Sequence, residues 1–313
     1  MEWPKKRSNN ISGRFFAIIR WFLIVVIILV AFAVFRYTFS ILSKKDSDRG
    51  SLLLSYGGTE QVVVSADIRN DLVYAFFPKK DLEIKVPGGY GYYPWEGILR
   101  LSEVEKNPKI LTRSVSWALS APIDDYFLLK NDLAKYKSGT LYFPLKWVFS
   151  PPVGTIRSLG VSKRWFWYLT LRGRSGADLI IVKSNFSKTD NEDAQRKIFA
   201  ENKFSKSYEG FFFDGPIRLE NYRVRLYYQD YLAAYTLSRI WRGAGVRVVD
   251  LTKSTTVGSE CVIKIAKNID IQKNNKTTKF IKKFGENCTV RSENVEGLDV
   301  EVYLSPKMED AWK

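Results

Sequence analysis

The sequence contains no histidine and only two cysteines in 313 residues. Without histidine, a Ser-His-Asp or Cys-His nucleophile and a histidine-ligated zinc site are excluded. The cysteines, Cys261 and Cys288, are too few for a structural zinc site. What remains is carboxylate, lysine, arginine or hydroxyl chemistry, and a hard cation such as Mg²⁺ is the compatible metal.

Acidic residues are also in short supply. The chain has 49 Lys and Arg against 33 Asp and Glu, a formal net charge of +16, of which the first 49 residues contribute +6. Such a surplus favours anionic partners: phosphoglycans, lipid pyrophosphates, membrane headgroups or nucleic acid. No Arg-rich recognition helix or RNA-binding signature is visible, so nucleic acid is the least expected of these.

One long apolar run lies near the N-terminus. Residues 21–35 are 15 uncharged residues between Arg20 and Arg36. A spanning helix needs about 20 apolar residues, and the flanking apolar residues supply them if both arginines snorkel. We therefore predict an uncleaved transmembrane signal anchor over 15–42. The alternative is a cleaved signal peptide, but no small-x-small cleavage site follows Arg36.

The charges around this run set the expected orientation. Five Lys or Arg precede it and four follow it closely, which favours a cytoplasmic tail over 1–14. We expect a single-pass protein of the cell membrane, with a polar stalk over 43–50 and the bulk of the chain extracytoplasmic. In an oxidising compartment Cys261 and Cys288 could form a disulfide; two unpaired core cysteines are the alternative.

Hydrophobic periodicity predicts a mixed α/β sheet beyond the stalk. Strand-like runs at 62–65 and 72–77 flank a turn, and a helix follows Pro108 and leads to the strand "IDDYFLL". The segments "YFPLKWVFSPP", "KRWFWYLTL" and "ADLIIVKS" predict short strands, and 189–203 predicts a helix.

The segment "KRWFWYLTL" allows two interpretations. Trp165, Trp167 and Tyr168 beside Lys163 and Arg164 indicate either a membrane-facing aromatic and basic patch or a half-buried hairpin.

The last ninety residues have a regular pattern. A strand at 222–228 leads to a helix closed by Gly243 and Gly245, and strands and a Lys-rich helix alternate from there to residue 304. This predicts a β-α-β-β-α-β-β module of a size that folds alone.

The stretch "FFPKKDLEIKVPGGYG", residues 76–91, raises the question of chemistry. Lys79 and Lys80 could act as anion clamps, with Asp81 as a metal ligand or base. Alternatively, the stretch is a strand end whose charged residues face water.

Two regions resemble a known family. "LLLSYGGTEQVVVSADIRNDLVYAFFPKKDLEIKVPGGYG", followed by a helix and "APIDDYFLL", resembles the opening half of the LytR-CpsA-Psr domain. The module centred on "LAAYTLSRIWRGAGVRVVDL" is similar to the LytR C-terminal domain. The resemblance implies an α/β (α+β) fold: a transmembrane helix, a divergent LytR-CpsA-Psr-like mixed α/β domain over 51–215, the C-terminal domain over 216–305 and a tail over 306–313.

Members of that family transfer glycopolymers from polyprenyl-pyrophosphate carriers to the cell wall, and the resemblance carries over only some of their site. Lys80 and Asp81 match the family's Arg-Asp pair, and Glu60 is the acid nearest to its first aspartate. Lysine cannot reproduce the bidentate guanidinium fork. Arg172 and Arg174 are the candidates for the arginines that bind the pyrophosphate, together with Lys79 and Lys80.

Three functions fit these observations. We expect a catalytically degenerate, membrane-anchored envelope protein, a pseudoenzyme without a cofactor, that binds an anionic cell-wall glycopolymer or a polyprenyl pyrophosphate. The first alternative is an active glycopolymer phosphotransferase, with Asp81 and Glu60 as catalytic residues and Mg²⁺ as cofactor. The second is a basic platform for assembly at the membrane surface.

Overall fold

The computed structural model describes residues 19–30, 32–34, 36, 49–56, 60–129, 141, 143–174, 178–182, 186–189, 196–254, 258–267, 269, 275–284, 288–295 and 297–313. The chain divides into two units, Met1–Lys45 and Asp46–Lys313.

The first unit contains a helix, α1, which includes residues 19–30, 32–34 and 36. Its large apolar side chains are exposed, Trp21 at 69% and Phe22 at 67%. Among the described residues, no helix combines the length and apolar character that crossing a membrane requires. The anchor over 15–42 stays a prediction; its ends, the 1–14 tail and most of the stalk lie outside the described residues.

The second unit begins with strands where the sequence predicted them. Its first elements are β1 (Arg49–Tyr56), β2 (Glu60–Asp67), β3 (Leu72–Phe76), β4 (Glu83–Val86), β5 (Gly91–Pro94), α2 (Gly97–Val104), α3 (Lys109–Leu119), β6 (Asp125–Leu128), α4 (Lys146–Phe149), β7 (Ile156–Arg157), α5 (Val161–Leu171), β8 (Leu179–Val182), β9 (Ser187–Thr189), β10 (Lys197–Phe199) and α6 (Glu201–Ser207). The expected stalk therefore ends at residue 48, because Arg49 and Gly50 already belong to β1.

These strands form two mixed sheets. The larger has the order β7-β6-β1-β2-β3-β8 and the smaller β5-β4-β10-β9. In the larger sheet β1 pairs antiparallel with β2 and parallel with β6. Parallel and antiparallel pairs in one sheet confirm the predicted α/β class.

Alternation along β1 divides the core into two layers. Leu53 belongs to an apolar cluster with helices α2, α3 and α6, whereas Leu52 and Leu54 belong to a second cluster with α4 and α5. Successive side chains of a strand point to opposite faces, so β1 is buried on both. The second cluster is rich in aromatic rings, including Phe127 and Trp147, whose centroids lie 5.5 Å apart.

The middle of the chain corrects three predictions. The segment "KRWFWYLTL" lies in α5, and "YFPLKWVFSPP" contains α4, so neither is a strand. Arg164, Trp167 and Leu171 are the buried residues of α5, with the spacing of a helix face rather than of a strand. Aromatic residues favour strands locally, but packing against the sheet decided for a helix. The helix expected over 189–203 is replaced by β9, β10 and the start of α6.

The C-terminal module follows the predicted β-α-β-β-α-β-β order. Its elements are α7 (Gly215–Glu220), β11 (Arg223–Tyr228), α8 (Tyr231–Ala244), β12 (Arg247–Lys253), β13 (Val262–Ala266), α9 (Lys276–Phe284), β14 (Thr289–Glu293), β15 (Val300–Tyr303) and α10 (Pro306–Trp312). The five strands have the order β12-β11-β15-β13-β14. A disulfide joins Cys261 and Cys288, which confirms the pairing over the free-thiol alternative.

Residues 306–313, expected to be a tail, instead contain α10. The Ser305 side chain caps this helix by accepting from the Met308 N–H at 3.3 Å, and Pro306 occupies its first turn. Met308 and Trp312 are buried in the apolar cluster of the C-terminal module. The helix forms because these two large side chains gain a core to pack into.

The C-terminal module packs closely against α3. A Cβ added to Gly243 of α8 would lie 1.7 Å from the carbonyl oxygen of Ser120, so only glycine allows this approach. Arg239 donates to Ser120 Oγ at 2.5 Å and lies over the rings of Trp117 and Tyr235. Lys283 of α9 forms an ion pair with Asp124.

Candidate functional site

The structure brings together two of the predicted site residues. Lys80 Nζ lies 2.8 Å from Glu60 Oε1. Glu60 begins β2 and Lys80 follows β3. Because these strands pair antiparallel, both residues lie at the same end of the two strands. Both side chains are more than one-third exposed, so the pair contributes little stability.

Two buried side chains, Gln61 and Trp95, form hydrogen bonds next to the Lys80–Glu60 pair. Trp95 Nε1 donates to Gln61 Oε1 at 2.9 Å, and Gln61 Nε2 donates to the Trp95 carbonyl at 3.5 Å. Gln61 is adjacent to Glu60, and the Glu96 N–H donates to the Lys80 carbonyl at 3.4 Å. The loop is therefore held by backbone contacts. Sequence reasoning missed Gln61 and Trp95 because neither carries charge.

Lys79 and Asp81 flank Lys80 and are exposed. The two lysines of this loop offset the two carboxylates, Asp81 and Glu60. Magnesium binds where carboxylates outnumber competing cations, so these residues do not fit the ion. Nowhere in the described ranges do three or more His, Cys, Asp or Glu residues group in a way that could hold a metal ion.

Arg172 and Arg174 lie elsewhere. Arg174 forms an ion pair with Asp71 and donates to the carbonyls of Asp71 at 3.0 Å and Thr170 at 2.8 Å. Asp71 belongs to the turn between β2 and β3, at the opposite end of β2 from Glu60. An eight-residue strand spans about 24 Å, so Arg174 and the Lys80 loop do not share a site. Arg172 lies over the ring of Tyr168, with 5.9 Å between Cζ and the ring centroid.

A second cationic cluster lies on the α5 face of the large sheet. Arg164 is only 4% exposed, and Nη1 donates to the Trp147 carbonyl at 3.3 Å. Within the described part of the chain, its Nε has no hydrogen-bond partner. Burial lowers the pKa of Arg164, and the neighbouring charge of Arg157 lowers this pKa further. A guanidinium in such surroundings is costly unless something negative compensates it.

The neighbours of Arg164 complete this cluster. Arg157 lies directly across from Phe127 in the β6–β7 pair, which places both side chains on the α5 face. Lys163 Nζ lies 2.7 Å from Asp125 Oδ1, and Ser158 Oγ donates to the same oxygen at 3.2 Å. Asp125 is thus neutralised by Lys163, and Arg157 and Arg164 add positive charge to this cluster.

Arg164 is the functional candidate that sequence reasoning passed over. It was assigned to a strand as part of a patch with Lys163, whereas in α5 it shares the buried face with Trp167 and Leu171. A charge at helical spacing among apolar residues is the signal that could have found it.

Three solved structures are similar to parts of this chain. Bacillus subtilis TagV has 8% identity and a TM-score of 0.38 over 52% of this chain and 96% of its own. B. subtilis TagT has 11% identity and a TM-score of 0.36 over 52% and 89%. "TagT bound to LIIa-WTA" has 17% identity and a TM-score of 0.24 over 27% and 33%.

No protein-family model matches the sequence, and no curated protein matches it. With TM-scores below 0.5, the structural similarities by themselves decide neither fold nor function. TagV and TagT are LytR-CpsA-Psr proteins, so the solved structures that resemble about half of this chain include members of the family that its sequence resembles.

Proposed function

We propose that this chain is a membrane-anchored, extracytoplasmic protein of LytR-CpsA-Psr descent that binds an anionic cell-envelope ligand without turning it over. The ligand class is a polyprenyl pyrophosphate or an anionic cell-wall glycopolymer. The anchor is the 15–42 segment, with a cytoplasmic N-terminus.

The observation that carries the binding proposal is Arg164. A guanidinium that is 4% exposed and reaches one carbonyl among the described residues is poorly compensated within the fold. A pyrophosphate would supply the missing acceptors, since arginine matches phosphate oxygens with two parallel hydrogen bonds. Aromatic side chains on the same face of the sheet, Phe127 and Trp147 among them, are the apolar groups that a prenyl chain attached to this pyrophosphate would meet.

The acids support the absence of turnover. Catalysis of phosphoryl transfer depends on metal ions and cationic clamps that stabilise developing charge. At the Lys80 loop, Glu60 is paired with Lys80. On the α5 face, Asp125 is paired with Lys163. Neither place has the carboxylate set that holds Mg²⁺.

The test measures binding of geranylgeranyl pyrophosphate to the detergent-solubilised full chain, with geranylgeraniol as the neutral control. We expect pyrophosphate-dependent binding that Arg164→Met weakens at least tenfold, because a desolvated charge pair is lost. Arg174→Met is the matched control, since Arg174 is bound to Asp71 at the far end of β2. Equal affinities of both variants and the parent would contradict the Arg164 site.

A second measurement addresses turnover and the Lys80 loop. Incubating the full chain with Mg²⁺ and a carrier-linked glycan should release no pyrophosphate-linked product. Release that Asp81→Asn abolishes would favour the active phosphotransferase instead. Lys80→Met, tested for pyrophosphate affinity in parallel, shows whether the exposed loop contributes to binding.

A further inference from the structure

The outward face of α5 carries a row of aromatic and basic side chains. Val161, Trp165, Tyr168 and the C-cap residue Arg172 have the spacing of one helix face, which lies beside the buried face of Arg164, Trp167 and Leu171. The ring centroids of Trp165 and Tyr168 lie 5.7 Å apart, and Arg172 Cζ lies 5.9 Å from the Tyr168 centroid. Phe149 of α4 extends the row, with its ring 6.0 Å from that of Trp165.

Exposed apolar side chains lie on the same segment of the chain. Phe149 is 68% exposed and Val153 is 94% exposed. We call the set the α4–α5 surface; its exposed members are Leu145, Phe149, Val153, Val161 and Leu169, and the partly buried Trp165 also packs against the core. Single exposed apolar side chains are common on protein surfaces, whereas a group of them on one segment indicates an interaction site.

The charge of the same segment selects the kind of partner. Residues 133–177 contain eight Lys or Arg and no Asp or Glu; among the eight, Lys163 and Arg174 are paired with Asp125 and Asp71, and Arg164 is buried. Anionic lipid headgroups attract such a segment, and tryptophan, tyrosine and arginine suit the boundary between headgroups and acyl chains. A polyanion such as nucleic acid would match the charge but leave Leu145 and Val153 in water.

The first strand of the second unit lies beside α5. Gly50 of β1 packs against α5: a Cβ there would lie 3.4 Å from Trp167 Cζ2.

We infer that the α4–α5 surface docks on an anionic lipid bilayer and lays the α5 side of the domain against the membrane. The inference rests on the proposed membrane attachment. It adds a fixed orientation, in which the α4–α5 surface meets the headgroups and the Arg164 cluster lies next to it. A carrier lipid would then have a short path from the bilayer to Arg164.

The experiment uses the full chain in nanodiscs that contain phosphatidylglycerol, with an environment-sensitive dye on Phe149→Cys. The matched control is Leu219→Cys, which is 75% exposed on α7. The native cysteines form a disulfide and do not take the dye. We expect lipid-borne quenchers to reduce the emission at 149 at least twofold and to leave the emission at 219 unchanged. Equal emission changes at both positions would overturn the inference.

A second pair of variants tests the surface itself, with the dye on Leu145→Cys. Phe149→Ser with Val153→Ser should lower the ratio of docked to undocked protein about tenfold or more, because two exposed apolar side chains no longer enter the bilayer. Val104→Ser with Leu219→Ser, two equally exposed positions elsewhere, should not change it. An unchanged ratio in the first variant would refute docking by this surface.

Flotation with vesicles separates the two levels of the proposal. Protein that does not float contradicts the anchor and, with it, the docking. Protein that floats while the dye at 149 stays aqueous contradicts the docking alone. A shift at 149 without lipid that grows with protein concentration would assign the surface to a second copy of the chain instead.

Discussion

Buried charged side chains have more hydrogen-bond partners in the C-terminal module than Arg164 has on the α5 face of the large sheet. In the C-terminal module, Glu309 is 4% exposed and accepts from the N–H groups of Gln229 at 2.7 Å and Asp230 at 3.1 Å. Glu301 accepts from two tyrosine hydroxyls at 3.2 and 3.1 Å. Arg164, equally buried, donates from its side chain to one carbonyl among the described residues.

This difference separates stability from binding. Buried charges with complete hydrogen bonding hold a module in one conformation, whereas a buried charge without it lowers stability unless a ligand compensates. We therefore interpret the C-terminal module as a stable structural element and the α5 face as the part that meets a ligand. The predictions below test that contrast.

Removing the disulfide should have the largest effect on the C-terminal module. Replacing Cys261 and Cys288 by serine frees a loop with a sequence separation of 27. Loop-closure entropy predicts a loss of about 3.5 kcal/mol in the free energy of unfolding. Chemical denaturation of the oxidised parent and the double variant measures it, with the reduced parent as control. A loss below about 1 kcal/mol would show that the module depends little on this link.

The contact between the module and α3 should be nearly as sensitive. Gly243→Ala places a methyl group where Ser120 O leaves 1.7 Å, so one of the two elements has to shift. We expect a loss of about 3 kcal/mol in the free energy of unfolding. Gly258→Ala is the control, because nothing lies within 4 Å of its Cβ position. Similar denaturation midpoints for both variants would contradict this tight contact.

The buried Arg164 and the partly buried Arg239 should respond in opposite directions. Arg164→Met should raise the free energy of unfolding by about 2 kcal/mol, because a poorly compensated buried charge is removed. Arg239→Met should lower the free energy of unfolding by about 1 to 2 kcal/mol, because Arg239 donates to Ser120 Oγ and stacks on Trp117. Thermal unfolding of both variants without ligand checks the contrast. A loss of stability in Arg164→Met would contradict the ligand-binding role of this residue.

The smallest expected effect is a pH dependence at Glu309. Burial raises the pKa of Glu309 above its ordinary value, and the charges of Asp230 and Asp310 act in the same direction against two backbone hydrogen bonds. The native state therefore holds this proton more tightly than the unfolded state. Its contribution is present at acidic pH and is lost as pH rises through the raised pKa.

Glu309→Gln isolates this contribution. Relative to the variant, the parent should gain free energy of unfolding as the pH falls from neutral to about 4, because the native state binds the proton more tightly. Urea denaturation of both proteins across that range measures it. A parent that loses stability relative to Glu309→Gln on acidification would show that the backbone hydrogen bonds outweigh burial.

The C-terminal module was predictable because its local and tertiary signals agree. The Lys-rich helix expected in this module is α9, and Gly245 closes α8 in the left-handed conformation that favours glycine. In the segment of α4 and α5 the signals disagree. Aromatic residues favour strands locally. The buried residues of α5, Arg164, Trp167 and Leu171, are instead spaced as one face of a helix. Because the segment was predicted to be a strand, the burial of Arg164 was not predicted.

The sequence by itself determined the chemistry that is absent, the basic surplus, the mixed α/β class and the Lys80 loop, because composition and short-range periodicity carry those facts. Only the tertiary structure decided which charges meet. Lys80 forms an ion pair with Glu60 because β2 and β3 pair antiparallel. Arg174 forms an ion pair with Asp71 in the turn between these strands, and Arg164 lies on the face of the sheet that carries the aromatic cluster. Long-range strand pairing and burial set these contacts, and neither can be read from the spacing of residues along the chain.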